Sequence, residues 1–188
     1  ENFWMEHIQS KLIEPLEAGK QYKVSFWVKL AYKYSDYAAY NIGLYFSKDP
    51  DIVGKKNNVS SYVKYMTPEL RAHIKNPEGN FITDTNWVEV SGIYTAQGGE
   101  QYVTIGMFWD GTPAVVEAHK KYKNKNTQYN KKLLSKAIKN NLLVENPYIK
   151  EYKKYIRSYS PYYYHYWDRE KKNLYYFIDD VSVIELAK

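Results

Sequence analysis

The chain is predicted to be all-β, an antiparallel β-sandwich carrying a basic, partly helical insertion over about residues 111–173. Three observations predict this. Short runs in both the first 110 residues and the last 15 alternate apolar and polar side chains with a period of two. About six or seven such runs follow one another with no helical period between them. The stretch that does carry helical spacing is set apart by its tyrosine and lysine content. The whole length, 188 residues, reads as a single sandwich domain with that insertion, enough to bury a core without disulfide or metal staples.

The elements follow in order. His7, Gln9 and Lys11 alternate with Ile8, Ser10 and Leu12, giving a first visible strand. Because the chain opens inside strand-like sequence, a leader and a further strand are expected upstream. Glu14 to Gly19 supplies a turn, and Tyr22, Val24, Phe26, Val28 and Leu30 then form the apolar face of a half-buried strand. Lys23, Ser25, Trp27 and Lys29 lie on its polar face. Ile42, Leu44 and Phe46 repeat the pattern and end at the turn Ser47-Lys48-Asp49-Pro50. Within the long loop 49–83, Thr67-Pro68-Glu69 has the form of a helix start and predicts a helical turn to Ile74. Trp87 to Tyr94 is a strand with Val88 and Val90 as core positions. Gln97-Gly98-Gly99-Glu100 predicts a hairpin turn into Val103, Ile105 and Met107. In the insertion, Leu134, Ile138 and Leu142 fall at helical spacing. Asn146-Pro147 starts a second helix with a stripe of Tyr148, Tyr152, Tyr155, Ile156 and Tyr159, which Pro161 ends. The final strand sets Val181 and Val183 on one face and Ile184 and Leu186 on the other.

Charge divides the chain in two. The net charge is +6, yet residues 117–172 alone hold 15 Lys/Arg against 5 Asp/Glu, so the remainder is acidic. A basic whole-chain balance is therefore no argument for nucleic-acid binding. Tyrosine mixed with lysine can stack on single strands, but no RNA-binding motif is present and no nucleic-acid partner is expected. No apolar run approaches a membrane span, and no transmembrane segment is expected. There are no cysteines, which for a domain this large leaves the compartment open.

The phrases Ser25-Phe26-Trp27-Val28-Lys29-Leu30-Ala31, Asn41-Ile42-Gly43-Leu44-Tyr45-Phe46-Ser47 and Ile178-Asp179-Asp180-Val181-Ser182-Val183 resemble jelly-roll carbohydrate-binding modules. They are more closely similar to galactose-binding-like domains in cell-envelope proteins of the Bacteroidetes, some of which precede an OmpA-like domain. The resemblance covers roughly the first 110 residues and the last 15; the insertion has no counterpart in it. It implies a jelly roll, export to the cell surface, outer membrane or periplasm, and a binding rather than catalytic role. It further implies a structural calcium ion held by an aspartate of the Asp-Asp-Val phrase, Asp180 here. The alternative is that Asp180 is an exposed strand residue.

The residues themselves show no catalytic constellation. Asp179 and Asp180 are adjacent in a strand, so they are not expected to face each other as a glycosidase pair. His7, His73, His119 and His165 lack metal-ligand spacing, and no serine sits in a nucleophile elbow. Sugars offer apolar C–H faces and hydroxyl edges, which aromatic rings and polar side chains recognise. On that chemistry Trp27, Trp109 and Asp110 are the leading ligand-binding residues, followed by Tyr45 and Trp87; the alternative for each is core cover beneath the insertion. A second function class is a structural envelope module that binds a partner protein or peptidoglycan. Its interface would be the aromatic run Tyr159, Tyr162, Tyr163, Tyr164, Tyr166 and Trp167.

Overall fold

A computed structural model describes residues 2–5, 7–50, 52–53, 62–63, 70–122, 126–159 and 171–187. In chain order the strands before the helices are β1 (Asn2–Met5), β2 (His7–Lys11), β3 (Gln21–Leu30), β4 (Tyr37–Ala39), β5 (Ile42–Ser47), β6 (Ile52–Val53), β7 (Tyr62–Val63), β8 (Ile74–Lys75), β9 (Val88–Thr95) and β10 (Tyr102–Met107). Then come α1 (Pro113–Tyr122), α2 (Asn126–Lys139), β11 (Leu143–Glu145), α3 (Ile149–Tyr159), β12 (Lys171–Leu174) and β13 (Tyr176–Glu185).

Two antiparallel sheets carry the core, one ordered β2-β10-β5-β8 and the other β13-β3-β9. Period-two alternation explains why they face one another. Val24, Phe26, Val28 and Leu30 of β3 are fully buried. Val24, Phe26 and Val28 share one apolar cluster with Ile42, Leu44 and Phe46 of β5, Val103, Ile105 and Met107 of β10, and Val90 of β9. Strands β4 and β11 form a small antiparallel pair, β6 and β7 another, and β1 runs parallel to β12.

The turn at Gly98-Gly99 differs from the expected hairpin. Strand β9 pairs with β3 while β10 pairs with β2 and β5, so the turn is an arch that carries the chain from one sheet to the other. Its hydrogen bonds go sideways to the segment before β3: Gly99 N–H donates to Leu16 O at 2.8 Å, and Leu16 N–H to Glu100 O at 2.9 Å. Both glycines have positive φ, 95° and 87°, which a side chain would disfavour. The carboxylate of Glu100 closes the arch from inside, accepting from Gln97 N–H at 2.7 Å, Gly98 N–H at 2.8 Å and the Tyr94 hydroxyl at 2.8 Å.

Strand β13 also departs from simple alternation. Asp179 pairs with Trp27 and Ser182 with Ser25, so Asp180 and Val181 together oppose Phe26 in a bulge, with Asp180 at φ 49°. Val183 therefore faces the core while Val181 is exposed, instead of the two sharing a face.

Of the expected helical turn, Thr67-Pro68-Glu69 lie outside the described residues. Residues 70–73 are irregular, and Ile74 belongs to β8 because its backbone pairs with Leu44.

The insertion is tied to the sheets at defined points. Strand β11 pairs with β4. Asn146, 1% exposed, donates through Nδ2 to the carbonyls of Tyr32 and Ser35 and accepts the Tyr148 N–H on Oδ1, so one side chain clamps the loop after β3 and caps α3. Lys153 on α3 pairs with Asp36 at 2.6 Å. In α2 the buried stripe is Leu134 and Ala137, whereas Ile138 is exposed, one position off the expected spacing. Leu142 is buried beyond the helix end, where Asn141 takes a left-handed conformation (φ 53°) and Leu142 N–H donates to Ala137 O at 2.9 Å. No helix among the described residues is long and apolar enough to cross a membrane.

Candidate functional site

The outward face of the three-stranded sheet is where exposed aromatic side chains converge. Because β3 is the central strand, its registers with β9 and β13 arrange the outward side chains in rows. Ile93, Lys23 and Ile184 form one row; Ser91, Ser25 and Ser182 the next; Glu89, Trp27 and Asp179 the third. In the fourth, Lys29 pairs with Phe177, and its ammonium lies 5.8 Å from the centre of the Trp87 ring. Directly paired residues of antiparallel strands have Cβ atoms about 4.5–5.5 Å apart, so each row is a set of side chains in reach of one another. Trp87, Phe177, Ile93 and Ile184 are exposed, and Trp27 is half-buried at the centre. Glu89 and Asp179 stand on either side of Trp27 and are themselves exposed. Aromatic faces, hydroxyls and carboxylates thus alternate across this face.

The residues nominated from sequence separate into three groups. Trp27 and Trp87 come together on this face. Tyr45 lies on the other sheet, half-buried, its ring stacked on the His73 imidazole at 4.6 Å and tilted against Phe108. Trp109 is 4% exposed and belongs to the core cluster, so the structure corrects its expected role as a surface platform. Asp110 turns inward to hold the segment before β8: its carboxylate pairs with Lys75 at 2.6 Å and accepts from Ala72 N–H at 3.3 Å. Tyr159 closes α3, while Tyr162, Tyr163, Tyr164, Tyr166 and Trp167 lie outside the described residues.

Asp180 is exposed on the β13 bulge, and its backbone N–H donates to Asp179 Oδ1 at 2.8 Å. No group of three or more His, Cys, Asp or Glu that could hold a metal ion occurs among the described residues.

A second cluster of perturbed groups lies inside the molecule. Burial, the hydrogen bond to Glu100 and that carboxylate's charge hold the Tyr94 hydroxyl protonated well above the usual tyrosine range. Burial opposes ionisation of Glu100, but its bonds from Tyr94, Gln97 and Gly98 outweigh that and hold its carboxyl below the usual range. His73 is shifted down by burial, against a smaller pull from Glu100, and its Nδ1 accepts from Phe46 N–H at 3.0 Å, so the proton of the neutral ring sits on Nε2. Glu100 is 3% exposed. With its oxygens committed to the arch, the cluster holds the fold.

Sequence reading missed Phe177 as an outward aromatic and Glu89 and Asp179 as the flanks of Trp27. The two-residue spacing from Trp87 to Glu89 shows a shared face in β9. That this face adjoins Trp27 depends on strand register, to which local spacing is blind.

The geometry defines a class: a protein with two antiparallel sheets sharing a core, one sheet presenting a bare aromatic face. No family model, curated protein or solved structure matches the chain.

Proposed function

We propose that the chain is a non-catalytic carbohydrate-binding module, of jelly-roll type, from an exported cell-surface or outer-membrane protein. The outward face of β13-β3-β9 is its binding surface. The observation that carries this reading is the convergence of Trp27, Trp87 and Phe177 on one exposed face with the serine row and two carboxylates beside them. Rings stack on the C–H faces of pyranose units, and the hydroxyl and carboxylate groups take up sugar hydroxyls at the edges. The resemblance of the Ser25–Ala31, Asn41–Ser47 and Ile178–Val183 phrases to carbohydrate-binding modules supports the same reading.

Titration calorimetry against a panel of soluble oligosaccharides tests it. Saturable binding to at least one glycan is expected, weakened about tenfold or more in Trp27→Ala, equivalent to about 1.4 kcal/mol. Absence of binding across the panel, or binding indifferent to both Trp27→Ala and Trp87→Ala, refutes it.

A second reading, a structural module docking on an envelope protein or peptidoglycan through the insertion, is favoured by Tyr148 and Tyr155, which α3 and its approach leave exposed. It predicts a copurifying partner that is lost when residues 159–167 are deleted.

A further inference from the structure

The open sheet face has a charge arrangement that a neutral sugar would not use fully. Four charged side chains stand on it: Lys23, Lys29, Glu89 and Asp179. Lys23 is two rows from Trp27, between Ile93 and Ile184, and Lys29 directs its ammonium over Trp87 at 5.8 Å. Neither lysine forms a salt bridge with Glu89 or Asp179 among the described residues. The two carboxylates therefore bracket the Trp27 ring without a cation of their own. Asp179 has one oxygen engaged by the Asp180 N–H; its other oxygen and the Glu89 carboxylate face solvent.

We propose that this face selects an oligosaccharide of amino sugars bearing free ammonium groups, a ligand class narrower than glycans in general; the inference rests on the glycan-binding reading above. A glucosamine-type unit stacked on Trp27 places its C–H face on the ring and its ammonium beside a carboxylate, so apolar and ionic recognition act on one residue. The indole also attracts the cation through its π face. The pairing on Lys29 shows the same ring-and-ammonium geometry already formed within the face. A sugar acid is disfavoured there because its carboxylate would meet Glu89 or Asp179. An N-acetylated sugar keeps the stacking and loses the charge.

The test compares chitosan hexaose, chitin hexaose, cellohexaose and hexalysine binding to the intact chain at pH 5.5, where the sugar amine is protonated, with the fold checked by circular dichroism. Chitosan hexaose is expected to bind at least tenfold more tightly than chitin hexaose in 50 mM salt. That advantage should shrink severalfold in 500 mM salt, where the screening length falls to roughly 4 Å. The pair Glu89→Gln and Asp179→Asn should abolish the preference, so that chitosan hexaose binds no more tightly than chitin hexaose to the double variant. Equal affinity for the two hexaoses overturns the amino-sugar proposal and leaves the glycan reading standing. Binding of hexalysine as tight as chitosan hexaose also overturns it, because charge alone would then suffice. Failure of chitosan hexaose to bind also overturns the amino-sugar proposal, and the glycan reading is then decided by the wider oligosaccharide panel.

Discussion

The outward faces of the two sheets begin from the same alternation and end in opposite states. On the four-stranded sheet the outward side is covered. Gly43 of β5 lies under Ala72, so that a Cβ at residue 43 would come within 2.5 Å of the Ala72 Cβ, and Gly106 of β10 lies under the His7 ring. Phe108 packs edge-on against His7 and tilts against Tyr45, and Thr104 is fully buried beneath, accepting from Gln9 at 2.9 Å. On the three-stranded sheet the corresponding positions hold Ser25, Trp27 and Lys29, and among the described elements β3 makes its main contacts with its own sheet neighbours β9 and β13. Tyr45 and Trp27 look alike as outward aromatics of their strands, yet one is part of a lid and the other part of an open face. Whether an outward residue is covered is decided by chain segments distant in sequence.

That contrast can be broken most forcefully on the covered side. Gly106→Ala should destabilise the protein by about 1–3 kcal/mol in chemical denaturation, because the methyl group meets the His7 ring and the strand cannot move away. Ser91→Ala, at an outward position of the bare sheet, should stay within about 0.5 kcal/mol. Equal effects would mean that the two faces do not differ in packing.

Glu100→Gln probes the arch that joins the sheets. The amide keeps one acceptor but must place an NH₂ either at Oε1, where Gln97 N–H and the Tyr94 hydroxyl now donate, or at Oε2, where Gly98 N–H does, and a loss of about 1–3 kcal/mol is expected. Tyr94→Phe removes one of those bonds and should cost less, about 0.5–1.5 kcal/mol.

The covered face should also make stability depend on pH. Burial lowers the pKa of His7, against a smaller opposing pull from its bond to Met107 O, and burial likewise lowers that of His73. The unfolded chain binds these protons first, so stability is full above the unfolded histidine value of about 6.5 and declines as pH falls below it. Glu100, held below the usual range, adds a further decline as pH drops through the carboxylate region near 4. Thermal unfolding from pH 8 to pH 4 checks this. His7→Gln with His73→Gln should flatten the upper part of the curve, and an unchanged curve in the double variant would assign the dependence elsewhere. The stability effect expected for Trp87→Ala on the bare face is also small, within about 1 kcal/mol.

Much of the sheet architecture was legible in the sequence. The inward residues of β3, β5 and β10 alternate cleanly and are buried as their spacing implies. The Asn146-Pro147 helix start is also as expected, since capping is a local property. What escaped depends on partners far along the chain. The Gly98-Gly99 turn reads as a hairpin until the Glu100 carboxylate and the 12–19 segment turn it into an arch. The Val181 position is set by a bulge opposite Phe26. Trp109 and Trp27 both stand in plausible strand phrases, and only tertiary packing buries the first and leaves the second half-buried on an outward sheet face. At the candidate site, Trp27 and Trp87 were visible as outward aromatics, whereas Phe177, Glu89 and Asp179 joined them through register alone.

The most direct measurement follows the indole N–H resonances of the tryptophans, assigned by single Trp→Phe substitutions, during titration with the tightest-binding oligosaccharide. The account predicts that the Trp27 and Trp87 signals shift together and saturate at one site while that of Trp109 stays in place. Saturable binding that leaves Trp27 and Trp87 unmoved would contradict it.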